Sequence, residues 1–315
     1  MTEPIEIDQG LYQLSLIGLE DVAATTAYLI KDEKNILIET GASSANAKIL
    51  QALDQLHIGP GGLDAIVVTH VHLDHAGGAG LLMAECPGAE LLIHPAGAPH
   101  LINTAKLEAS ARKVYGSAFE ELFHPLKDVD PDRVRMMEDG ATYEVRPGRH
   151  LSFHHALGHA LHHLVVLDSQ SKSLFTGDAA GMYYPRIKQH YNVDFALPAS
   201  TPSQFDPEQY YETLGQLLKL HPRRICFAHY GSMEDPAWVV KEVRSWLPLF
   251  GKEAHEFWLQ HHRIESLKKF LLSRILDELE ARGVPRDNES LDQLIFDTDL
   301  NAQGLMSYFK RLGKG

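Results

Sequence analysis

The chain has 315 residues, 44% of them hydrophobic and 23% charged, with a formal net charge of −13 and two cysteines. This length supports one large globular domain, or a domain with an extension. The acidic balance excludes general nucleic-acid binding through a basic surface, two cysteines exclude a disulfide framework, and no apolar run reaches the length of a membrane span.

The start, Met1-Thr2-Glu3-Pro4-Ile5-Glu6, is acidic and carries no signal-peptide pattern, so a cytoplasmic protein acting on a small molecule is the expectation. Charge is unevenly spread. Residues 241–315 carry 12 Lys+Arg and 12 Asp+Glu, so the acidic excess lies before them.

In chain order, Tyr28-Leu29-Ile30 and Ile36-Leu37-Ile38 predict strands around the polar turn Lys31–Asn35. Ser43 or Ser44 is placed to cap a helix with Ile49, Leu53 and Leu56 on one face. A short buried strand follows at Ile66–Thr69, a helix through Leu81-Leu82-Met83, and a strand at Leu91-Leu92-Ile93. The stretch 95–149 predicts an insertion, with a helix through Leu107, Ala111, Val114, Phe119 and Leu122. It reads either as a surface insertion or as a cap that brings Tyr115, Phe119 or Phe123 to a substrate. Within it, Val134–Met137 and Thr142–Val145 flank Asp139-Gly140, a hairpin signal.

Strands continue at Leu151–His154, Leu164–Leu167 and Leu174-Phe175. Asp206-Pro207 opens a helix with an N-cap and a proline at its first position, and that helix ends before Pro222. Ile225-Cys226-Phe227 is the last core strand. The division expected is a domain over 1–240 and a helical extension over 241–315. In the extension Leu267, Leu271, Ile275 and Leu279 recur every four residues, Gly283 and Pro285 end the helix, and a last helix carries Leu305, Phe309 and Leu312. The extension reads as a pack against the core, a homodimer interface or a lid.

The chemistry concentrates in T-H-V-H-L-D-H-A-G-G, residues 69–78. In extended backbone, residues two apart point the same way, so His70 and His72 can grip one ion together. Asp74 and His75 leave the chain in different directions and could both address a second. Imidazole and carboxylate suit zinc, iron or manganese. Further donors cluster in H-H-A-L-G-H-A-L-H-H (154–163), F-T-G-D-A (175–179) and F-A-H-Y-G (227–231), each following or joining a strand-like run.

In this order the motifs resemble the metallo-β-lactamase-fold superfamily over roughly residues 10 to 235: Glu39-Thr40-Gly41, then H-x-H-x-D-H, then G-H, G-D and a final histidine. The resemblance implies an α/β fold, a four-layer αββα sandwich with a two-metal site at one edge of its sheets, here with a helical insertion and a helical C-terminal extension. It implies His70, His72 and His159 as ligands of one divalent ion, and Asp74, His75 and His229 as ligands of another, with Asp178 bridging. Zinc is the first expectation, iron or manganese the next. His229 is preferred to His190 and His221 because it follows an apolar strand and precedes glycine, whereas His221 ends a helix before proline. Glu39 stands where the family often has aspartate, and Ala156-Leu157-Gly158-His159 replaces a T-P-G-H-like loop. Both departures bear on the hydrogen bonding behind the ligands. His163 sits where the family often has a second histidine.

Aspartate at 178, where β-lactamases of this fold commonly carry cysteine or another arrangement, resembles the glyoxalase II, lactonase, thioesterase and phosphodiesterase branches. H-x-H-x-D-H also differs from the H-x-E-x-D of the flavodiiron branch. The reaction this implies is metal-assisted hydrolysis of an ester, thioester or lactone, with phosphodiesters ranked lower. Asp74 and Asp178 are the catalytic carboxylates, and Tyr183, Tyr184 or Tyr230 the candidate leaving-group donors. Two other classes remain: a single-iron persulfide dioxygenase-like enzyme, and a non-catalytic binder that keeps the site.

Overall fold

A computed structural model of the chain describes residues 3–16, 25–116, 118–200 and 203–313. They divide into two compact units. The first gathers the described residues up to His155 together with His162–Gly177; the second gathers Ala156–Leu161 and the described residues from Asp178 onward. Most strands belong to two mixed sheets, two more form a separate pair, and the chain closes in helices: an α/β fold with C-terminal helices.

In the first unit, seven strands stand side by side in chain order: β1 (Ile5–Asp8), β2 (Leu11–Leu16), β3 (Thr25–Ile30), β4 (Asn35–Ile38), β5 (Leu63–Val67), β6 (Glu90–Ile93) and β7 (Val134–Met136). β1 to β4 run antiparallel. From β4 to β7 the pairing is parallel, so each return needs a crossover. α1 (Asn46–Gln55) carries the first, α2 (Leu73–Ala76) and α3 (Ala79–Glu85) the second, and α4 (Ala98–Ile102), α5 (Ala105–Tyr115) and α6 (Ala118–Phe123) the third. Leu37, Ile66, Leu91 and Ile93 from the strands meet Ile49, Leu53 and Leu82 from the helices in one buried cluster.

The remaining strands of this unit, β8 (Thr142–Arg146), β9 (Arg149–His155), β10 (Leu164–Asp168) and β11 (Ser173–Gly177), form an antiparallel run. Here Arg149 and Asp168, both fully buried, form a two-pronged ion pair at 2.8 and 3.1 Å, with Asp32 on a third guanidinium nitrogen at 2.8 Å. Burial alone would raise the Asp168 carboxyl, but the Arg149 and Ser171 hydrogen bonds outweigh it and hold it below the usual carboxylate range.

Three local expectations are corrected. Asp139-Gly140 does not make a hairpin: β7 takes β6 as its parallel partner, while β8 pairs with β9, so this turn carries the chain from one sheet to the other. The turn chemistry is real, with Gly140 at φ +78°, its N–H donating to Phe153 O at 2.8 Å and Asp139 Oδ1 accepting from His155 N at 2.9 Å. Ser43 does not cap α1. Its hydroxyl donates to Gly77 O and Phe123 O, and a short 3₁₀ turn over Ser43–Ala45 leads into the helix. The single helix expected around Leu107–Leu122 is two, broken near Gly116 at φ +56°.

In the second unit, β12 (Met182–Tyr183) pairs with β13 (Ala196–Leu197) around α7 (Pro185–Tyr191). Asp206 caps α8 (Pro207–Lys219), accepting from Glu208 N and Gln209 N at 3.0 Å each. β14 (Arg224–Phe227) and β15 (Ser232–Met233) form a hairpin. Then come α9 (Pro236–Pro248), α10 (Ala254–His261), α11 (Ile264–Ala281) and α12 (Asp292–Leu312). Leu267, Leu271, Ile275 and Leu279 are all fully buried along α11, as their spacing predicts. Leu312, expected on the apolar face of the last helix, is instead exposed at its final position. No described helix is long and apolar enough to cross a membrane.

Candidate metal centre

The first-unit donors stand on one short segment. After β5 the chain bends at Thr69 and His70, His72 stands in extended backbone (φ −62°, ψ 145°), and α2 begins at Leu73, carrying Asp74 and His75. His70 Nε2 lies 2.9 Å from His72 Nδ1, and His75 Nε2 lies 3.4 Å from Asp74 Oδ2. His70 and His75 are buried and Asp74 is half-buried.

The backbone behind α2 is clamped by β4's exit loop. Thr40 N and Oγ1 both donate to His75 O at 2.9 Å, and Gly78 N donates to Gly41 O at 3.0 Å. Glu39, in the left-handed region at φ +68°, accepts from Thr69 Oγ1 and lies 3.7 Å from His75 Nδ1. A glutamate at 39 therefore reaches both the residue before His70 and the ring of His75. Leu73, on the opposite side of α2, packs with Ala111, Phe119 and Phe123. Phe119 and Phe123 are buried and pack behind this turn. His163 stacks on His70, with ring centroids 4.7 Å apart.

The second-unit donors come from three separated loops. His159 Nε2 lies 3.4 Å from Asp178 Oδ2, and His229 Nε2 lies 3.4 Å from Asp178 Oδ1. All three residues are buried. Asp178 thus offers one oxygen toward each histidine. His159 Nδ1 sits 2.8 Å from Ala199 O; a carbonyl only accepts, so Nδ1 carries the proton and Nε2 keeps its lone pair.

The glycines of the G-H and G-D motifs have a steric reason. At Gly158 (φ +112°) a Cβ would stand 2.3 Å from Tyr210 N, and at Gly177 (φ +49°) 2.3 Å from Thr69 Oγ1. Tyr210, buried on α8, donates from its hydroxyl to Asp178 O at 2.5 Å and accepts from Ala199 N at 3.4 Å. The alternatives to His229 lie elsewhere: His221 is exposed at the end of α8, and His190 hydrogen-bonds Ser290 Oγ at 2.7 Å.

The tyrosines divide. Tyr183 donates to Asp194 at 2.8 Å. Tyr184, wholly buried, and Tyr230, part-buried, both donate to Asp297 Oδ2, at 3.1 and 3.2 Å. Burial pushes Asp297 up to about 7; His229 and the two phenols pull the other way. Asp297 escaped the sequence reading. Its signal was a polar side chain on the buried stripe of α12, which runs Leu294, Asp297, Thr298, Asn301 and Leu305.

The donor set suits a transition-metal cation. Ligand bonds of about 2.0–2.2 Å put neighbouring donors roughly 3.3–3.6 Å apart around a tetrahedral ion. The three His–carboxylate separations of 3.4 Å fall there and are long for direct hydrogen bonds. The side chains that could hold an ion are His70, His72, Asp74 and His75 in the first unit and His159, Asp178 and His229 in the second. The chain thus carries buried His/Asp triads consistent with a metal site, of a kind typical of metalloenzymes.

Comparison with known proteins agrees with this geometry. A metallo-β-lactamase fold-containing protein, ST1585, from Sulfurisphaera tokodaii is 30% identical over 227 residues, covering 71% of this chain and 79% of that protein. The crystal structure of an archaeal metallo-β-lactamase superfamily protein, ST1585 from Sulfolobus tokodaii, superposes with a TM-score of 0.65 at 25% identity, covering 95% of this chain and 98% of the other. TTHA1429 from Thermus thermophilus, a metallo-β-lactamase family protein, shares the fold at a TM-score of 0.61 and 19% identity, covering 96% and 94%. These likenesses do not select a branch. The metallo-β-lactamase superfamily model matches residues 21–229, about two thirds of the chain, and the chain belongs to that superfamily.

Proposed function

We propose that this protein is a dinuclear metallohydrolase that cleaves an ester, thioester or lactone. The observation that carries the reading is Asp178, a buried carboxylate with one oxygen 3.4 Å from His159 and the other 3.4 Å from His229. A carboxylate that serves two separate imidazoles has the form needed to bridge two cations. His70, His72 and His159 would hold one ion; Asp74, His75 and His229 would hold the other; zinc fits this nitrogen and oxygen set, as do iron and manganese.

Bound divalent ions supply Lewis acidity, lowering the pKa of a water and polarising an acyl carbonyl. The chain's own groups do the rest. The Ala199 carbonyl keeps the His159 lone pair on Nε2. Asp74, half-buried where Asp178 is buried, is the carboxylate placed to take up a proton. Tyr230 is the leaving-group donor we favour among the three tyrosines. All three hydroxyls donate to carboxylates, Tyr183 to Asp194 and Tyr184 and Tyr230 to Asp297; Tyr230 is favoured because it alone of the three is part-buried and it stands beside His229.

The test is a panel of esters, thioesters, lactones and phosphodiesters run on protein whose metal content is measured in the same preparation. Two ions per chain with hydrolysis of an acyl substrate are expected. A single iron per chain, with oxygen uptake on a persulfide, would replace this reading by the dioxygenase one. Full metal loading with no turnover across the panel would favour a binder.

A further inference from the structure

Of the four buried polar side chains of α12, Gln293, Asp297, Thr298 and Asn301, two bear on the candidate ligands: Asp297 and Asn301. They lie four residues apart, on the same helical face. Each is tied to a different ligand-bearing loop of the second unit.

Asn301 Oδ1 accepts from Ser200 N at 2.7 Å and from Ser200 Oγ at 2.9 Å, and Asn301 O accepts from Ser200 Oγ at 3.1 Å. Ser200 is fully buried and follows Ala199, whose carbonyl sets the His159 tautomer. Ser200 N and Ala199 O belong to the same peptide group, so the Ser200 N–H bond to Asn301, with the hydroxyl hydrogen shared between Asn301 Oδ1 and O, fixes the peptide that orients His159. Asp297 Oδ2 accepts from Tyr230 and Tyr184. Tyr230 follows His229 and holds a left-handed backbone at φ +63°, a conformation a non-glycine residue keeps only when its surroundings enforce it.

We infer that α12 is the outer scaffold of the metal centre: Asn301 positions His159 through Ser200 and Ala199, and Asp297 positions His229 through Tyr230. The C-terminal extension is then part of the metal-binding apparatus, and its two anchors act on ligands of the two different ions. This rests on the assignment of His159 and His229 as ligands. Neither anchor touches an ion or a substrate, so both are positioning residues.

The experiment measures zinc affinity of metal-free full-length protein by competition with a chromophoric chelator, and the visible spectrum of the cobalt-substituted form. Asn301→Leu and Asp297→Leu each remove the acceptor at similar volume and are expected to weaken zinc binding by about 10- to 100-fold and to shift the cobalt bands. Asp297→Asn keeps an oxygen acceptor for the phenols and is expected to restore parental affinity. Leu305→Ala, a cavity on the same helix face, should lower the melting temperature and leave affinity and spectrum unchanged. Folded leucine variants with parental affinity and spectrum would overturn the inference, as would an affinity loss in Leu305→Ala equal to theirs. If a leucine variant does not fold, Tyr230→Phe decides for Asp297 and Ser200→Ala for Asn301, since each removes one oxygen; parental values in both overturn it. A parent protein that binds no zinc overturns the ligand assignment as well, which separates that failure from this one.

Discussion

The two units hold their donors in opposite ways. In the first, four candidate ligands occupy six consecutive positions, and the loop that clamps them, Glu39-Thr40-Gly41, is the direct exit of a neighbouring strand. In the second, His159, Asp178 and His229 sit on three loops spread over 71 positions of chain. Their supports come from Ala199, Tyr210, Asp297 and Asn301. A contiguous set needs one turn in the right place. A dispersed set needs long-range packing to bring each donor to its angle, so second-unit donors are expected to be the more sensitive to substitutions far from them.

The largest effect compares a donor from each half. Alanine at His72 or at Asp178 should each remove measured metal and reduce hydrolysis by at least about 10²–10³-fold, the cost of losing one strong electrostatic contact to a transition state. If Asp178→Ala kept full activity with depleted metal, the two-ion reading would be wrong. Next comes packing in the first half. Phe119→Ala empties the cluster behind Leu73 and should cost about 3–5 kcal/mol in denaturant unfolding. A much smaller loss would mean that α5 and α6 do not brace the ligand turn.

In the second half, Gly158→Ala sets a Cβ against the Tyr210 backbone at a left-handed φ and should cost about 2–4 kcal/mol, with metal affinity falling alongside stability. Tyr210→Phe is gentler: it removes the hydroxyl shared by Asp178 O and Ala199 N, for about 1–3 kcal/mol. If it weakened metal binding no more than a surface control, the dispersed donors would not depend on that link.

The finest distinction lies in pH, measured on metal-free protein. Asp168 is held below its ordinary pKa, so its stabilisation is present above about pH 4 and is lost as pH falls through the depressed value. Asp297 is raised to about 7, so between about pH 4 and 7 the folded state holds a proton that the unfolded state has released. Its contribution is therefore present below that window and is lost as pH rises through 7. Asp297→Asn should flatten the decline between pH 4 and 7 and leave the acid limb untouched. An unchanged profile would place the raised carboxyl elsewhere.

Much of this was legible in the chain. Alternating strand-like and helix-like runs, the Asp206-Pro207 cap and the four-residue repeat along α11 all report local physics, and the structure keeps them. The H-x-H-x-D-H segment marks its candidate donors by spacing alone, and the structure sets His70 beside His72 and Asp74 beside His75. The hairpin at Asp139-Gly140 failed because a turn residue specifies a reversal, not which sheet receives the next strand. The cap by Ser43 failed because a more distant pair of carbonyls claimed its hydroxyl.

The sequence by itself determined the kind of chemistry this protein can hold, because residue types and their short-range spacing mark the candidate donors. Only the tertiary structure decided how the dispersed donors are oriented. The hold of Tyr210 on the Asp178 backbone, the His159 tautomer and the grip of Asp297 and Asn301 on the second-unit loops depend on hydrogen bonds between residues 32 to 101 positions apart. Such bonds leave no periodic trace in the chain. Two of them leave a mark in Asp297 and Asn301, polar residues on the buried face of the last helix.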